Sequence, residues 1–124
     1  MPDACVDLVL CCLVLEHLEV LRAPLAEARR LLRPGGALRI IEIHPFLSLG
    51  GVAAHFADGD EEVQMPTVAH RFADYLNAFA AETLEVRRCT EWNPRDFAPP
   101  MPPKVLKRGP DRPLLVEFWL QNRR

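Results

Sequence analysis

A chain of 124 residues, 49% hydrophobic and 26% charged, has room for one globular domain. At this size a domain buries roughly two-thirds of its unfolded surface, so a real core is expected. Fifteen basic against seventeen acidic side chains leave a net charge of −2. No basic stripe interleaved with aromatics occurs, and Arg87, Arg88, Arg123 and Arg124 read as scattered surface charges, so a nucleic-acid footprint is not indicated.

In chain order, the first element is Val6 to Leu15 (VDLVLCCLVL). Leu8, Leu10, Cys12 and Val14 fill one face of an extended strand; Val9, Cys11, Leu13 and Leu15 fill the other. A strand that is apolar on both sides is typical of a parallel sheet with cover above and below. The apolar run is far shorter than the ~20 residues of a membrane helix. It has no basic flank and no small-residue cleavage site, so it reads as neither a membrane span nor a signal peptide. Of the four cysteines, Cys5, Cys11, Cys12 and Cys89, the adjacent pair points to opposite faces and cannot share one metal. Reduced thiols in an apolar core are expected, and with them a reducing compartment, the cytoplasm.

A helix follows, with Pro24 in its first turn and Leu21, Leu25, Ala28 and Leu32 on one stripe. Arg29, Arg30 and Arg33 complement its dipole. Pro34-Gly35-Gly36 ends it with a left-handed glycine cap, and Ala37 to Ile43 is a second strand. Strand, helix and strand with tight connections form a right-handed βαβ unit. Residues 44–66 form a lid-like loop with Gly50, Gly51, Gly59 and an acidic run from Asp58 to Glu62. A second helix is expected from Thr67 to Ala81, with Phe72, Leu76 and Phe79 on its buried stripe. Leu84 to Trp92 is a third strand. Residues 94–113 hold seven of the twelve prolines and are expected to be irregular. Leu114 to Gln121 is a fourth strand.

Four strands and two good helices do not suffice. The first strand demands cover on both faces, and two helices shield only one face of a four-stranded sheet. Either a partner supplies the second layer, or the chain is part of a larger domain.

The segment Asp7 to Leu18 (DLVLCCLVLEHL), with Ala26 to Leu38 (AEARRLLRPGGAL) after it, closely resembles class I S-adenosylmethionine-dependent methyltransferases of type 11. In that family the pattern spans the fourth strand, the following helix and the fifth strand. The resemblance extends through Glu42-Ile43-His44-Pro45, the helix near His70 to Ala81 and the final strand pair, covering essentially the whole chain. It implies an α/β fold: a partial Rossmann-like sheet whose strands correspond to 4-5-7-6 of the family's 3-2-1-4-5-7-6 order, with helices mainly on one face. The chain, 1–124, then corresponds to the C-terminal half of such a domain. The family's glycine-rich turn and ribose-binding acid have no counterpart; Gly35-Gly36 and Gly50-Gly51 have the wrong spacing and follow the wrong elements. The expected cofactor is S-adenosylmethionine and the acceptor a small molecule. Alone, the chain is expected to bind the cofactor poorly, to be inactive and to self-associate or await a missing N-terminal half. The competing reading is a non-catalytic half-domain that pairs through its apolar first strand.

Ligands of open α/β sheets bind beyond the carboxyl ends of the strands. By resemblance, Cys11, Cys12 and Leu13 meet the methionine portion of the cofactor. His17 has two readings: it orients or deprotonates the acceptor, its ordinary pKa lying near neutrality, or it caps backbone groups ahead of the helix. Glu16 reads as a surface acid. Glu42, His44 and Phe46 are candidates to line the acceptor site, with Phe56, Tyr75 and Trp92 as further apolar walls. His55 and His70 have no metal-ligand spacing with the others, and no metal is expected.

Overall fold

The computed structural model describes residues 1–52, 55–98 and 101–124, the side chains of 55 and 56 excepted. Strand β1 (Val6–Cys12) leads through a 3-10 turn, Leu15–His17, into α1 (Arg22–Leu31) and then β2 (Leu32–Ile43). A helical turn, α2 (Pro45–Ser48), precedes a hairpin of β3 (His55–Asp58) and β4 (Glu61–Gln64). Helix α3 (Phe72–Ala81), strand β5 (Leu84–Trp92), a helical turn α4 (Pro103–Leu106) and strand β6 (Leu115–Asn122) complete the chain. The main sheet has the order β1-β2-β6-β5. β1 and β2 are parallel, and β6 runs antiparallel to both of its neighbours. This is an α/β fold with the strand order 4-5-7-6 that the sequence implies.

One face of the sheet is packed. Leu38 and Ile40 of β2, with Val116, Phe118 and Leu120 of β6, point inward and are buried. Leu21, Leu25 and Ala28 of the first helical stripe are buried against them, as 3.6-residue periodicity requires. From α3 come Tyr75, Ala78 and Phe79. The stripe of α3 therefore runs through Tyr75; Leu76, expected on it, faces solvent. Tyr75, expected to line a pocket, is a core residue stacked on Phe79 and tilted against Phe118. The helix begins at Phe72 rather than at Thr67, where Asp74 accepts the Arg71 amide at 2.8 Å and fixes the first turn.

The other face of the sheet is open at β1. Leu8 is 54% and Leu10 63% exposed. β1 does carry apolar side chains on both faces, and only the inward set has cover. Its outer edge is unpaired as well.

Pro34-Gly35-Gly36 does not cap α1. The helix ends at Leu31, and Leu32 is already extended at φ −74° and ψ 135°, since Pro34 pushes Arg33 out of the helical region. The two glycines serve β2: Gly35 has φ +79°, and a Cβ on Gly36 would lie 2.9 Å from the Arg33 carbonyl oxygen and 3.1 Å from that of Asp7. They let β2 approach β1 closely. The junction is held by Asn122, whose amide donates to the carbonyls of Leu32 and Arg33 at 3.2 and 3.3 Å.

Two segments are more ordered than their composition suggests. The 44–66 stretch contains α2 and the β3-β4 hairpin. The 94–113 stretch contains a 3-10 turn at Pro94–Asp96 and α4. Pro94 and Pro103 each open their turn, a position where the missing N–H goes unused. All four cysteines are free; Cys12 and Cys89 are exposed and Cys5 and Cys11 half-buried, so the expected core thiols are surface and margin residues. Among the described residues no helix is long and apolar enough to cross a membrane.

Candidate functional site

The carboxyl ends of β1 and β2 meet beside the 3-10 turn, and a buried acid organises the junction. Glu42, fully buried near the end of β2, accepts the amides of Val14 at 3.1 Å and Leu15 at 2.9 Å on one oxygen. Its other oxygen is buried without a partner among the described residues. Burial pushes the Glu42 carboxyl above its ordinary pKa, the nearby Glu16 charge adds to this, and the amide hydrogen bonds oppose it. Glu16, read from the sequence as a surface acid, is buried too, and it also has an unpartnered oxygen. Two buried carboxylates thus face one strand end.

The chain turns sharply there. Leu13 has φ +55°, a left-handed conformation that costs a non-glycine residue about 1–3 kcal/mol. Its amide donates to the Ile41 carbonyl at 2.8 Å. The N–H groups of Leu13, Val14 and Leu15 are therefore all engaged. What the turn presents outward is half-exposed apolar side chain at Leu13 and Val14; the carbonyls of Val14 and Leu15 accept the amides of His17 and Leu18. Such a turn next to two acids suits a cationic group flanked by hydrocarbon.

Of the residues singled out from sequence, Cys11, Cys12 and Leu13 form the end of β1 and the turn itself. Cys11 also lines an apolar crevice of about 290 Å³ between β1 and α1, with Val9, Val14, Pro24, Leu31 and Ile40. Burial, then Glu42 and Cys12, pushes the Cys11 thiol up to about 11, so it stays protonated and non-nucleophilic at neutral pH. His17 sits in the 3-10 turn; its Nδ1–H donates to the Pro66 carbonyl at 2.9 Å. Its Nε2 lies 3.5 Å from Glu16 Oε1.

His44 is fully buried. Its Nδ1 accepts the Phe46 amide at 3.1 Å, so Nε2 carries the proton and donates to Glu91 on β5. It caps α2 and ties the end of β2 to β5. Phe46 packs edge-on against His44, with centroids 4.7 Å apart, and is otherwise 69% exposed. Phe56 belongs to β3, but its side chain lies outside the described residues, as does that of His55. His70 is buried, and its Nε2–H donates to the carbonyls of Leu15 and Leu18, bracing the 3-10 turn from α3's side. Trp92 lies on the opposite face of the sheet, where Glu117 takes its indole N–H at 3.1 Å.

Sequence reasoning missed the burial of Glu16 and the bracing role of His70. Only the second left a trace, an isolated histidine just ahead of an apolar helix stripe. Whether an acid beside a strand end is covered depends on α3 and the 66–70 segment, which are remote in sequence.

Residues 1–40 match a family profile described as a methyltransferase domain. Among curated proteins none matches the chain in sequence. Solved structures do match. A Listeria monocytogenes protein assigned as an S-adenosylmethionine-dependent methyltransferase superposes with a TM-score of 0.71 at 13% identity, over 96% of this chain and 62% of that one. An S-adenosylmethionine-dependent methyltransferase from Mesorhizobium loti superposes with a TM-score of 0.67 at 16% identity, over 98% and 64%. The [4+2]-cyclase SpnF superposes with a TM-score of 0.56 at 15% identity, over 98% and 51%. This chain therefore spans a little over three-fifths of the first two structures. The same fold also carries a cyclase, so the fold alone does not specify methyl transfer.

Proposed function

We propose, for a chain with the class I S-adenosylmethionine-dependent methyltransferase fold and a methyltransferase-domain segment at residues 1–40, that it supplies the acceptor side and part of the cofactor wall of a small-molecule methyltransferase. The observation that carries this reading is the turn at Leu13–Leu15, whose amides are consumed by Ile41 and Glu42. It leaves half-exposed hydrocarbon at Leu13 and Val14 beside two buried acids. An amino-acid moiety bearing an ammonium and a sulfonium matches that surface in charge and polarity.

When bound, S-adenosylmethionine supplies an electrophilic methyl group on a sulfonium. The chain's own residues have separate tasks. Cys11, Cys12 and Leu13 form the wall against the methionine portion. Glu42 is a positioning residue that fixes the turn, and His44 holds the neighbouring backbone through α2. Phe46 provides an exposed apolar surface for the acceptor. His17, held through Nδ1 by Pro66, takes the acceptor proton on Nε2, and the adjacent Glu16 carboxylate stabilises the imidazolium that results. Much of the rate enhancement in such a displacement comes from alignment of the reacting atoms, which these fixed groups serve.

No glycine-rich turn of the cofactor-binding kind occurs in the 124 residues. The isolated chain is therefore expected to hold S-adenosylmethionine more weakly than about 1 mM and to be inactive alone. Titration with S-adenosylmethionine, followed by amide NMR, is expected to shift resonances of Cys11 to Val14 and His17 without saturating. Shifts confined to other parts of the chain overturn the site. Calorimetry showing micromolar affinity overturns the incompleteness.

The exposure of Leu8 and Leu10 beside an unpaired strand edge favours a second reading, a half-domain that pairs with another chain. Both readings predict self-association at micromolar concentration in sedimentation velocity runs. Leu8→Lys with Leu10→Lys is expected to return the chain to a monomer, because charge on an edge strand blocks pairing. A wild-type monomer at 50–100 μM, roughly ten times typical working concentrations, counts against the exposed strand as a contact. Only the first reading predicts the cofactor shifts.

A further inference from the structure

The only two tryptophans of the chain lie outside the core. Trp92 and Trp119, with Arg39, Arg88, Thr90 and Glu117, line a cavity of about 250 Å³. It lies on the sheet face opposite α1 and α3. Strand register assembles it: Arg39, Trp119 and Arg88 fall in one row across β2, β6 and β5, with Glu117 and Thr90 in the next and Trp92 beyond them.

The walls are preorganised. Glu117 is buried and spends one oxygen on the Trp92 indole N–H at 3.1 Å. Its other oxygen accepts Nε of Arg39 at 2.9 Å and a terminal guanidinium nitrogen of the same side chain. The Arg39 guanidinium is held 5.0 Å from the Trp119 ring centre. One neutralised ion pair thus anchors the Trp92 indole and lies over the Trp119 ring. Arg88 is exposed and, among the described residues, has no carboxylate or carbonyl partner. The neighbouring Arg87 pairs with Glu85. The face therefore keeps an uncompensated cation, although the whole chain has a net charge of −2.

A guanidinium without an acidic partner among the described residues, beside two aromatic faces, is complementary to a planar anion. The ring packs against indole, and a carboxylate takes two parallel N–H bonds from arginine. The volume suits one or two fused rings and is below that of a typical drug-sized pocket.

We propose that this face of the sheet binds a small aromatic carboxylate, its ring against Trp92 and Trp119 and its carboxylate on Arg88. The inference is independent of methyl transfer. Because the cavity holds every tryptophan, intrinsic fluorescence reads it directly. Titration of the chain with benzoate is expected to give a saturable change with half-saturation near or below ~1 mM. Arg88→Gln, at an exposed position that leaves far-UV circular dichroism unchanged, is expected to weaken binding by about tenfold or more, in line with the loss of a charge-assisted pair. Cyclohexanecarboxylate and benzyl alcohol, lacking the ring or the charge, are expected to lose a similar factor. A linear, unsaturating response overturns the proposal, as does equal binding by Arg88→Gln or by either analogue. Fluorescence that depends on protein concentration and not on benzoate overturns it in favour of a protein-docking surface.

Discussion

Phe118→Ala is expected to cost about 3–5 kcal/mol, the usual range for emptying a buried phenylalanine site, and to leave much of the chain unfolded at 25 °C. Phe118 stands at the centre of β6, almost wholly buried. Its ring meets Phe79 at 5.0 Å, Tyr75 at 5.5 Å and Phe72 at 6.3 Å between centroids. These contacts join α3 to the sheet, so the void left by alanine has walls on two elements and collapses poorly. Domains have roughly 5–15 kcal/mol in total, and a sheet with one open face belongs at the lower end. Urea unfolding checks the value. Trp119→Ala, one residue along on the other face, is expected to cost about 1 kcal/mol or less, as exposed substitutions do. Equal effects of the two substitutions would contradict the assignment of inner and outer faces.

Replacement of Glu42 separates its hydrogen bonds from its charge. Glu42→Ala strands the amides of Val14 and Leu15, at about 1–3 kcal/mol for each buried donor, and a loss of about 2–4 kcal/mol is expected. Glu42→Gln keeps a carbonyl acceptor in place and removes the buried charge. The sign of the pH effect follows from the raised pKa. Between the unfolded value and the raised folded value, the folded chain binds more protons than the unfolded one. Stability contributed by Glu42 is therefore full at low pH and falls as pH rises through that window. Glu42→Gln is expected to flatten this fall, which sets in as pH rises past the ordinary carboxylate value. Parallel urea midpoint profiles for wild type and Glu42→Gln would show that another group carries the dependence.

The βαβ unit was legible because its signals are local. An apolar run, a stripe at Leu21, Leu25 and Ala28, and short connections fix two strands and a helix before any partner is known. The open face was legible for the same reason, since the residue pattern of β1 demanded more cover than the helices provide. What escaped depends on tertiary neighbours. Tyr75 and Leu76 are adjacent on α3, and only the position of Phe118 decides which turns inward. Pro34-Gly35-Gly36 is a fair helix stop on its own; the close passage of Asp7 turns it into part of a strand. Glu16 is hydrophilic in isolation and enclosed in the fold. At the site, the strand ends at Leu13 and Glu42 were predictable in place but not in role. The turn's hydrogen bonds come from a residue 27 or 28 positions away.

Strand β6 separates two environments that hardly communicate. Its even-numbered side chains, Val116, Phe118 and Leu120, belong to a dry interior, and its odd-numbered ones, Glu117 and Trp119, to a cavity open to water. A single-residue alternation thus lets one surface drift in sequence while the other stays frozen. New recognition chemistry can be written on position 119 without re-solving the packing problem on the reverse.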